Sequence, residues 1–511
     1  MLNDKRTDHG WGLAVLVAFF LVVVALQASL KLIWGDELFT YYIARQPGLR
    51  GVWAALQAGA DPNPPLTHLL VKASTWLFGS ASLAIRLPAI LSMLLAVVCI
   101  WSMLRRWVRP AFAAAGVLAF MATRGFDYAY DARSYSPMMG FAMASLALWM
   151  AASDRSGWRR TAALGAMALA LAAGISSNYY CVLAFFPIAV GEALRQSEAR
   201  RFRLDTWLAL ALASLPLVAY LPLIRHNIAE FGPHAWNRPH ASMIAMSYLE
   251  LVEGIFWPVL GLAIFVLLKR RGPWAIPRAE AAAVGVLLVY PLLGFAIAVG
   301  GAGMISPRCV APVCCGFGLA AGVLAQRVLG GMRRGAVSVV ALLVLWVVVR
   351  EGICGAVLWQ QRRAFEAISK TVATGTGQIV VGDSSFVLPF YFYASPDVQR
   401  RIVFPVDFDA IHRIEPDDSG EQNLWAGRND VFPFRILSFS QLTFKPATDT
   451  LVARPKGWLV DDLGRSPFPP TLTPQEDPAW DNLGGIFTPM AHPDTRILRG
   501  TSPVPRNGRK D

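Results

Sequence analysis

Charged residues are scarce in this 511-residue chain: Asp, Glu, Lys and Arg make up 16% of it against 55% hydrophobic residues. So thin a polar complement excludes an ordinary soluble globular protein. Cysteine is scarcer still. The six cysteines (Cys99, Cys181, Cys309, Cys314, Cys315 and Cys354) lie in or at the edge of apolar segments. With none in the polar tail, neither a disulfide framework nor a zinc-binding spacing is present. No internal repeat is visible along the chain. The first apolar run is too long for a signal peptide and lacks the small-residue cleavage pattern, so it is read as a retained helix.

What is there instead is a succession of apolar runs. They cover Trp11–Leu32, Leu87–Leu104, Ala111–Met121, Ser136–Ala152, Ala162–Ile175, Cys181–Leu194, Trp207–Ile224, Leu251–Leu268, Ala281–Val299, Val310–Val328 and Ala336–Val349. Several approach the ~20 residues that cross a bilayer, which predicts about eleven spans. The formal charge of +13 would suit nucleic acid if it were gathered in one patch, but it is not. Arg105, Arg106 and Arg109, then Arg155, Arg159 and Arg160, then Arg195, Arg200, Arg201 and Arg203, then Lys269, Arg270 and Arg271, then Arg333 and Arg334 fall in every second short loop, as cytoplasmic loops do. With Lys5 and Arg6 also inside, an odd number of spans places the N-terminus in the cytoplasm and the tail after Arg350 outside. The expected partner of the basic charge is thus the bilayer and not nucleic acid.

Composition divides the chain into a membrane part over residues 1–358 and an outer soluble α/β domain over residues 359–511. A long first outer loop, residues 34–83, lies within the former. In that loop, Leu49–Gln57 has apolar residues spaced for a helix lying on the membrane surface. Thr67–Phe78 is apolar but short and contains His68 and Lys72, which places it at the interface and not across the membrane. In the tail, Gln378–Gly382, Arg401–Val406 and Trp458–Val460 are short β-favouring runs, each ending near Asp or Pro. Asp383, Asp407 and the pair Asp461–Asp462 at those ends read as turn formers before they read as ligands. Pro467–Pro474 is proline-rich and reads as irregular.

Ionisable residues near lipid are rare unless paired or functional, so the polar groups of the outer loops stand out. Asp36-Glu37 follows the first span directly; the purely local account is that Asp36 caps a surface helix running Glu37–Arg45. Asp61-Pro62-Asn63-Pro64-Pro65-Leu66-Thr67-His68 closes the same loop, where three prolines stiffen the backbone that presents Asn63 and His68. A proline-terminated turn before a helix would look the same. Tyr130-Asp131-Ala132-Arg133-Ser134-Tyr135 precedes a later span, with Arg124 and Asp127 upstream. There Asp131 and Arg133 can pair with each other, or Arg133 can hold a phosphate. Ser306-Pro307-Arg308 starts another span, and a single arginine there can also simply snorkel to the interface.

Asp-Glu after the first span, Pro-Pro-Leu closing its loop, Ala-Arg-Ser-Tyr and then Pro-Arg before later spans occur in that order. Together they resemble the protein O-mannosyltransferase and aminoarabinose-transferase superfamily of bacterial membrane glycosyltransferases, from about Trp11 to Val328. The tail is similar, more loosely, to the outer domain that many such transferases carry. The resemblance implies a polytopic all-α membrane bundle of the C-type glycosyltransferase fold with a small soluble domain, in the bacterial cytoplasmic membrane. It also implies a polyprenyl-phosphate sugar donor opened at its sugar–phosphate bond, the sugar passing to an acceptor hydroxyl of a glycan, lipid or protein on the outer side. Asp36 matches the acidic position assigned to the general base or to acceptor orientation, and Glu37 its usual neighbour. At Asn63 the aminoarabinose transferases carry Lys and many relatives His. Neutral Asn63 supplies no charge, so donor phosphate falls to Arg133, Arg308 and Lys72, with Asn63, His68, Asp131 and Tyr135 lining the pocket.

The chemistry suits these residue types independently of the family. Displacing a phosphate from an anomeric carbon builds negative charge on the leaving oxygens, which arginines stabilise, while a carboxylate takes the incoming hydroxyl's proton. Asp36 and Glu37 are hard oxygen ligands of the kind Mg²⁺ or Mn²⁺ takes, yet two carboxylates with no further ligand set make a weak metal site. A transporter or flippase of a lipid-linked substrate is the competing class, since its cavity would also bind a lipid phosphate. Such proteins commonly show repeated halves and helices broken at mid-membrane; here the polar groups cluster at one face. A scaffold built around the tail would show no such cluster.

Overall fold

The computed structural model describes residues 9–232, 237–269, 276–415, 417–466, 469–483 and 490–501. Lys5, Arg6, Arg270 and Arg271 of the charge pattern therefore lie outside the described residues. The chain separates into two compact units, one of residues 1–29, 63–228 and 237–354, the other of residues 30–62, 229–236 and 355–511.

The first unit is helical, and each of the eleven apolar runs falls on helix. Among the described residues, six helices are long and apolar enough to cross a membrane: Trp11–Leu30, Ser82–Trp107, Tyr135–Ser153, Gly157–Ser177, Ser242–Leu268 and Arg334–Ala373, the last continuing past residue 354. Two bent pairs, Leu204–Ala219 with Leu221–Phe231 and Arg278–Leu288 with Tyr290–Gly301, raise the number to eight if each is one span. Pro110–Met121 and Val313–Leu329 are shorter apolar helices. This pair packs through glycine: a Cβ on Gly116 would stand 2.7 Å from the Gly318 carbonyl, and one on Gly322 would stand 2.9 Å from the Phe112 carbonyl. Small residues let backbones approach where lipid offers no hydrophobic drive.

The arginines of the alternate loops do more than mark a side. Arg106 pairs with Asp154 at 2.7 Å and with Glu280 at 3.3 Å, and Arg160 with Asp205 at 2.6 Å. The Trp107 and Trp149 indoles donate to Glu280 and Glu192 at 2.6 and 2.9 Å. Buried carboxylates at helix ends are thus compensated from neighbouring helices, which ties the bundle at this end.

The second unit holds a six-stranded sheet: β1 (Ile379–Val381), β2 (Ile402–Val406), β3 (Arg435–Ser438), β4 (Thr450–Ala453), β5 (Thr471–Pro474) and β6 (Arg496–Thr501), in the order β3-β2-β1-β4-β6-β5. The pairs β1–β2, β2–β3 and β1–β4 are parallel; β6 runs antiparallel to β4 and to β5. β1 and β2 are buried along their whole length, which explains their unbroken apolar runs. Two expectations for the tail fail. Trp458–Val460 belongs to a helix, Trp458–Gly464, because buried Trp458 and Leu459 serve a helix face and not a strand. Of the stretch read as irregular, Thr471–Pro474 is edge strand β5; proline is tolerated there because an edge has one side without a ladder to complete. Asp383 and Asp407 do act as turn formers, accepting the backbone N–H groups of Ser385, Phe386 and Ala410 at the starts of their helices.

Candidate active site

The candidate residues divide between the two units. Asp36 and Glu37 lie in the second, on the helix Gly35–Ala44; Asn63, His68, Lys72, Asp131, Arg133, Tyr135 and Arg308 lie in the first.

The helix starts at Gly35 with Trp34 as its N-cap, so Asp36 is inside the first turn and is not the cap that the local account made it. From Lys31 to Ala44 every residue is buried except Asp36, which is half-buried. Its neighbour differs sharply. Glu37 is fully buried, its carboxylate 3.5 Å from the Lys31 ammonium and 3.5 Å from the Trp34 backbone nitrogen. Lys31 is equally enclosed, with 3% of its side chain exposed, and lies 5.9 Å from the Trp34 ring centroid. A buried carboxylate needs such a partner. Glu37 is therefore held inside the protein by Lys31, which lies six positions earlier and which sequence reading missed.

Around this helix the second unit is aromatic. Phe432 meets Phe39 and Tyr42 edge-on at 5.5 and 6.2 Å, and Phe392 meets Tyr41 at 5.6 Å. Burial pushes the Tyr42 phenol far up, with the Tyr391 and Tyr41 phenols adding to it. Burial likewise raises the Asp417 carboxyl of the tail, and the charges of Asp418 and Asp36 raise it further. Asp417 is a neighbour of Asp36 that no local pattern could indicate.

In the first unit Arg308 sits on the short 3-10 turn Pro307–Val310 and Arg133 in the bend that follows another. Arg133 follows the turn Arg124–Tyr130, its backbone N–H donating to the Asp131 carbonyl at 2.7 Å, and its side chain is buried. Three interactions anchor that turn. Asp127 pairs with Arg350 at 2.7 Å, Arg124 with Glu250 at 3.7 Å, and Phe126 packs edge-on to Phe20 at 5.7 Å. The Arg308 guanidinium is close enough to the Tyr128 phenol for its charge to oppose the burial that raises that group. Tyr128 in turn lies 4.9 Å from the Tyr135 ring.

A polar relay links these segments. The Ser134 hydroxyl donates to the Asn63 side-chain oxygen at 2.9 Å, and the Asn178 amide donates to the same hydroxyl at 2.9 Å. The Asn178 oxygen accepts the Tyr180 N–H at 3.0 Å, and the Tyr180 hydroxyl donates to the carbonyl of Met304, four residues before Arg308. Asn63 is thus joined to Arg133's neighbour, and Asn178-Tyr179-Tyr180 joins the Arg133 and Arg308 segments. Asn178 and Tyr180 were not singled out from the sequence, since an Asn-Tyr-Tyr between two apolar runs carries no local signature. His68 is buried and Lys72 half-buried on the helix Leu66–Phe78.

Among the described residues, no three or more His, Cys, Asp or Glu side chains are grouped to hold a metal ion. With the Glu37 carboxylate held by Lys31, the Asp36-Glu37 pair does not fit a chelate for a divalent cation.

Residues 62–226 match the family model described as dolichyl-phosphate-mannose-protein mannosyltransferase. Among solved structures, ArnT from Cupriavidus metallidurans bound to undecaprenyl phosphate shares the fold with a TM-score of 0.60 at 16% identity, covering 98% of this chain and 99% of that one. Its apo state gives a TM-score of 0.61 at 17% identity, covering 96% and 98%. No curated protein matches the sequence. The fold is thus shared with ArnT over nearly the whole chain and the family match lies within residues 62–226, in line with the superfamily resemblance read from the motifs.

Proposed function

We propose that this protein transfers a sugar from a polyprenyl-phosphate-linked donor to an acceptor hydroxyl on the outer face of a bacterial cytoplasmic membrane. The observation that carries the reading is Asp36, the one residue of its helix that is not fully buried, directly after the first span. Asp36 takes the proton of the attacking hydroxyl. Arg133 and Arg308 hold the donor phosphate and stabilise the charge that grows on it as the anomeric bond breaks, with Lys72 as a third cation near the membrane surface. Asn63 orients through Ser134, while His68, Asp131 and Tyr135 line the pocket. The leaving group is already a phosphate, so one base suffices, and inversion at the anomeric carbon follows. The acceptor is a glycan, a lipid or a protein. The alternating arginine loops support a cytoplasmic N-terminus and an outer C-terminal domain.

Purified protein in detergent, given a panel of polyprenyl-phosphate sugars and an envelope extract as acceptor source, is expected to release free polyprenyl phosphate and label one acceptor fraction. Movement of the intact donor across vesicles without its consumption would replace the transferase by a flippase. A reporter active only outside the cytoplasm, fused after Arg363, is expected to be active; silence there, with activity near Arg200, reverses the orientation.

A further inference from the structure

The sequence divides the carboxylate motif from the tail by more than 300 residues, yet residues 30–62 and 355–511 form one compact unit. The contacts are specific. The chain entering the Asp36 helix donates the Ile33 N–H to the Tyr393 hydroxyl at 2.9 Å, and Ile33 is fully buried. Gly35 stands against Ser385, where an added Cβ would come 3.6 Å from the carbonyl oxygen. Phe432 closes on Phe39 and Tyr42, and Phe392 on Tyr41. The far end is tied by Gln46, whose side-chain amide donates to the Asp430 carbonyl at 2.8 Å. A ten-residue helix is marginal in isolation, because nucleation costs more than so few hydrogen bonds return. Its packing therefore decides where Asp36 stands.

We propose that the C-terminal domain is a working part of the transfer site, with Tyr393 and Phe432 as positioning residues that hold the Asp36 helix in register. The proposal rests on the reading of Asp36 as the base. Tyr393 sets the entry of the chain by accepting a backbone N–H that would otherwise be buried without an acceptor. Phe432 wedges between Phe39 and Tyr42, one turn apart on the helix, and so fixes its rotation about its own axis. Rotation is the sensitive variable: a turn that moves Asp36 from its opening would bring a residue of the sealed face in its place. The Asp417 carboxyl, whose proton affinity Asp36 raises, shows that the tail also shapes the electrostatic surroundings of the base.

The test uses the full-length protein with Tyr393→Phe, which removes one oxygen and keeps the ring contacts with Phe392 and Phe365, and with Phe432→Leu. Each is measured for donor binding, for transfer rate at saturating donor and acceptor, and for melting temperature, beside Asp36→Asn. Both variants are expected to bind donor like the parent while transfer falls roughly 10- to 100-fold, the scale of a small misplacement of a reacting group. Parental transfer rates in both, with Asp36→Asn inactive, overturn the positioning role and leave the base reading standing. Parental transfer by Asp36→Asn overturns the base reading, and this proposal with it. Joint loss of donor binding, transfer and thermal stability reduces the contacts to a structural role and also overturns it.

Discussion

The arginine-bearing segments of the membrane unit and the carboxylate helix of the other unit are held in place by different means, and the proposed function gives them different tasks. Arg308 lies on a 3-10 turn and Arg133 just after one, and their segments are joined by hydrogen bonds among Ser134, Asn63, Asn178, Tyr180 and Met304. Asp36 lies on a regular helix set by aromatic packing. A cation that receives a lipid phosphate can act through charge over a range of geometries, whereas a base must reach one proton. The difference teaches that losses at the two places should separate into donor affinity on one side and chemical rate on the other.

The largest expected effect falls on the helix. Asp36→Asn keeps size and hydrogen-bonding capacity but cannot accept a proton, and it should lower transfer by about 10²–10⁴ with donor binding intact. Glu37→Gln should be impaired less at the chemical step, because Glu37 faces Lys31 inside the protein. Stopped donor turnover with both substrates saturating is the measurement; near-parental turnover by Asp36→Asn would move the base to Glu37 or Asp131 and dissolve the comparison.

On the arginine side, Arg133→Ala and Arg308→Ala should each weaken donor binding by roughly 1.5–3 kcal/mol, the worth of a charge-assisted hydrogen bond to phosphate. Lysine at either position should restore part of it, since it supplies charge without the planar fork. A donor titration decides: unchanged affinity in both alanine variants would return these residues to anchors at the membrane surface.

The smallest effect sharpens the comparison by separating stability from chemistry within the second unit. Burial raises the Glu421 carboxyl from 4.5 to about 8, against the opposing pull of hydrogen bonds from its own backbone N–H and from Ser384. Its folded-state proton affinity exceeds the unfolded one, so its contribution to stability is full below pH 4.5 and is lost as pH rises through about 8, on the order of a few kcal/mol in all. Glu421→Gln should flatten the pH dependence of melting across that window and leave the transfer rate of folded protein unchanged. A melting profile that keeps its slope would show that the carboxyl is not buried in its protonated form.

Much of this was legible locally. Strong hydropathy contrast marked the helices of the membrane unit, and period and turn chemistry marked β1, β2 and the helix Gly48–Gln57. Asp36 was legible because a carboxylate pair beside a span is costly in any fold. Trp458–Gly464 was mistaken for a strand because a four- to seven-residue apolar run has no resolvable period. Edge strand β5 was missed because its four residues earn their place only by pairing with β6.

By itself, then, the sequence determined which segments are apolar enough for a membrane and in which loops the arginines gather, and it supplied the residue types on which the proposed phosphate and proton roles rest. Those depend on composition over windows no longer than a helix. Tertiary structure alone decided which carboxylate is fully buried against Lys31, Glu37, and which is only half-buried, Asp36. It also decided that Asn178 and Tyr180 join the two arginine segments, and that Tyr393 and Phe432 hold the Asp36 helix. Each of these is a contact whose partner choice depends on packing distant segments together, and no local pattern encodes that choice.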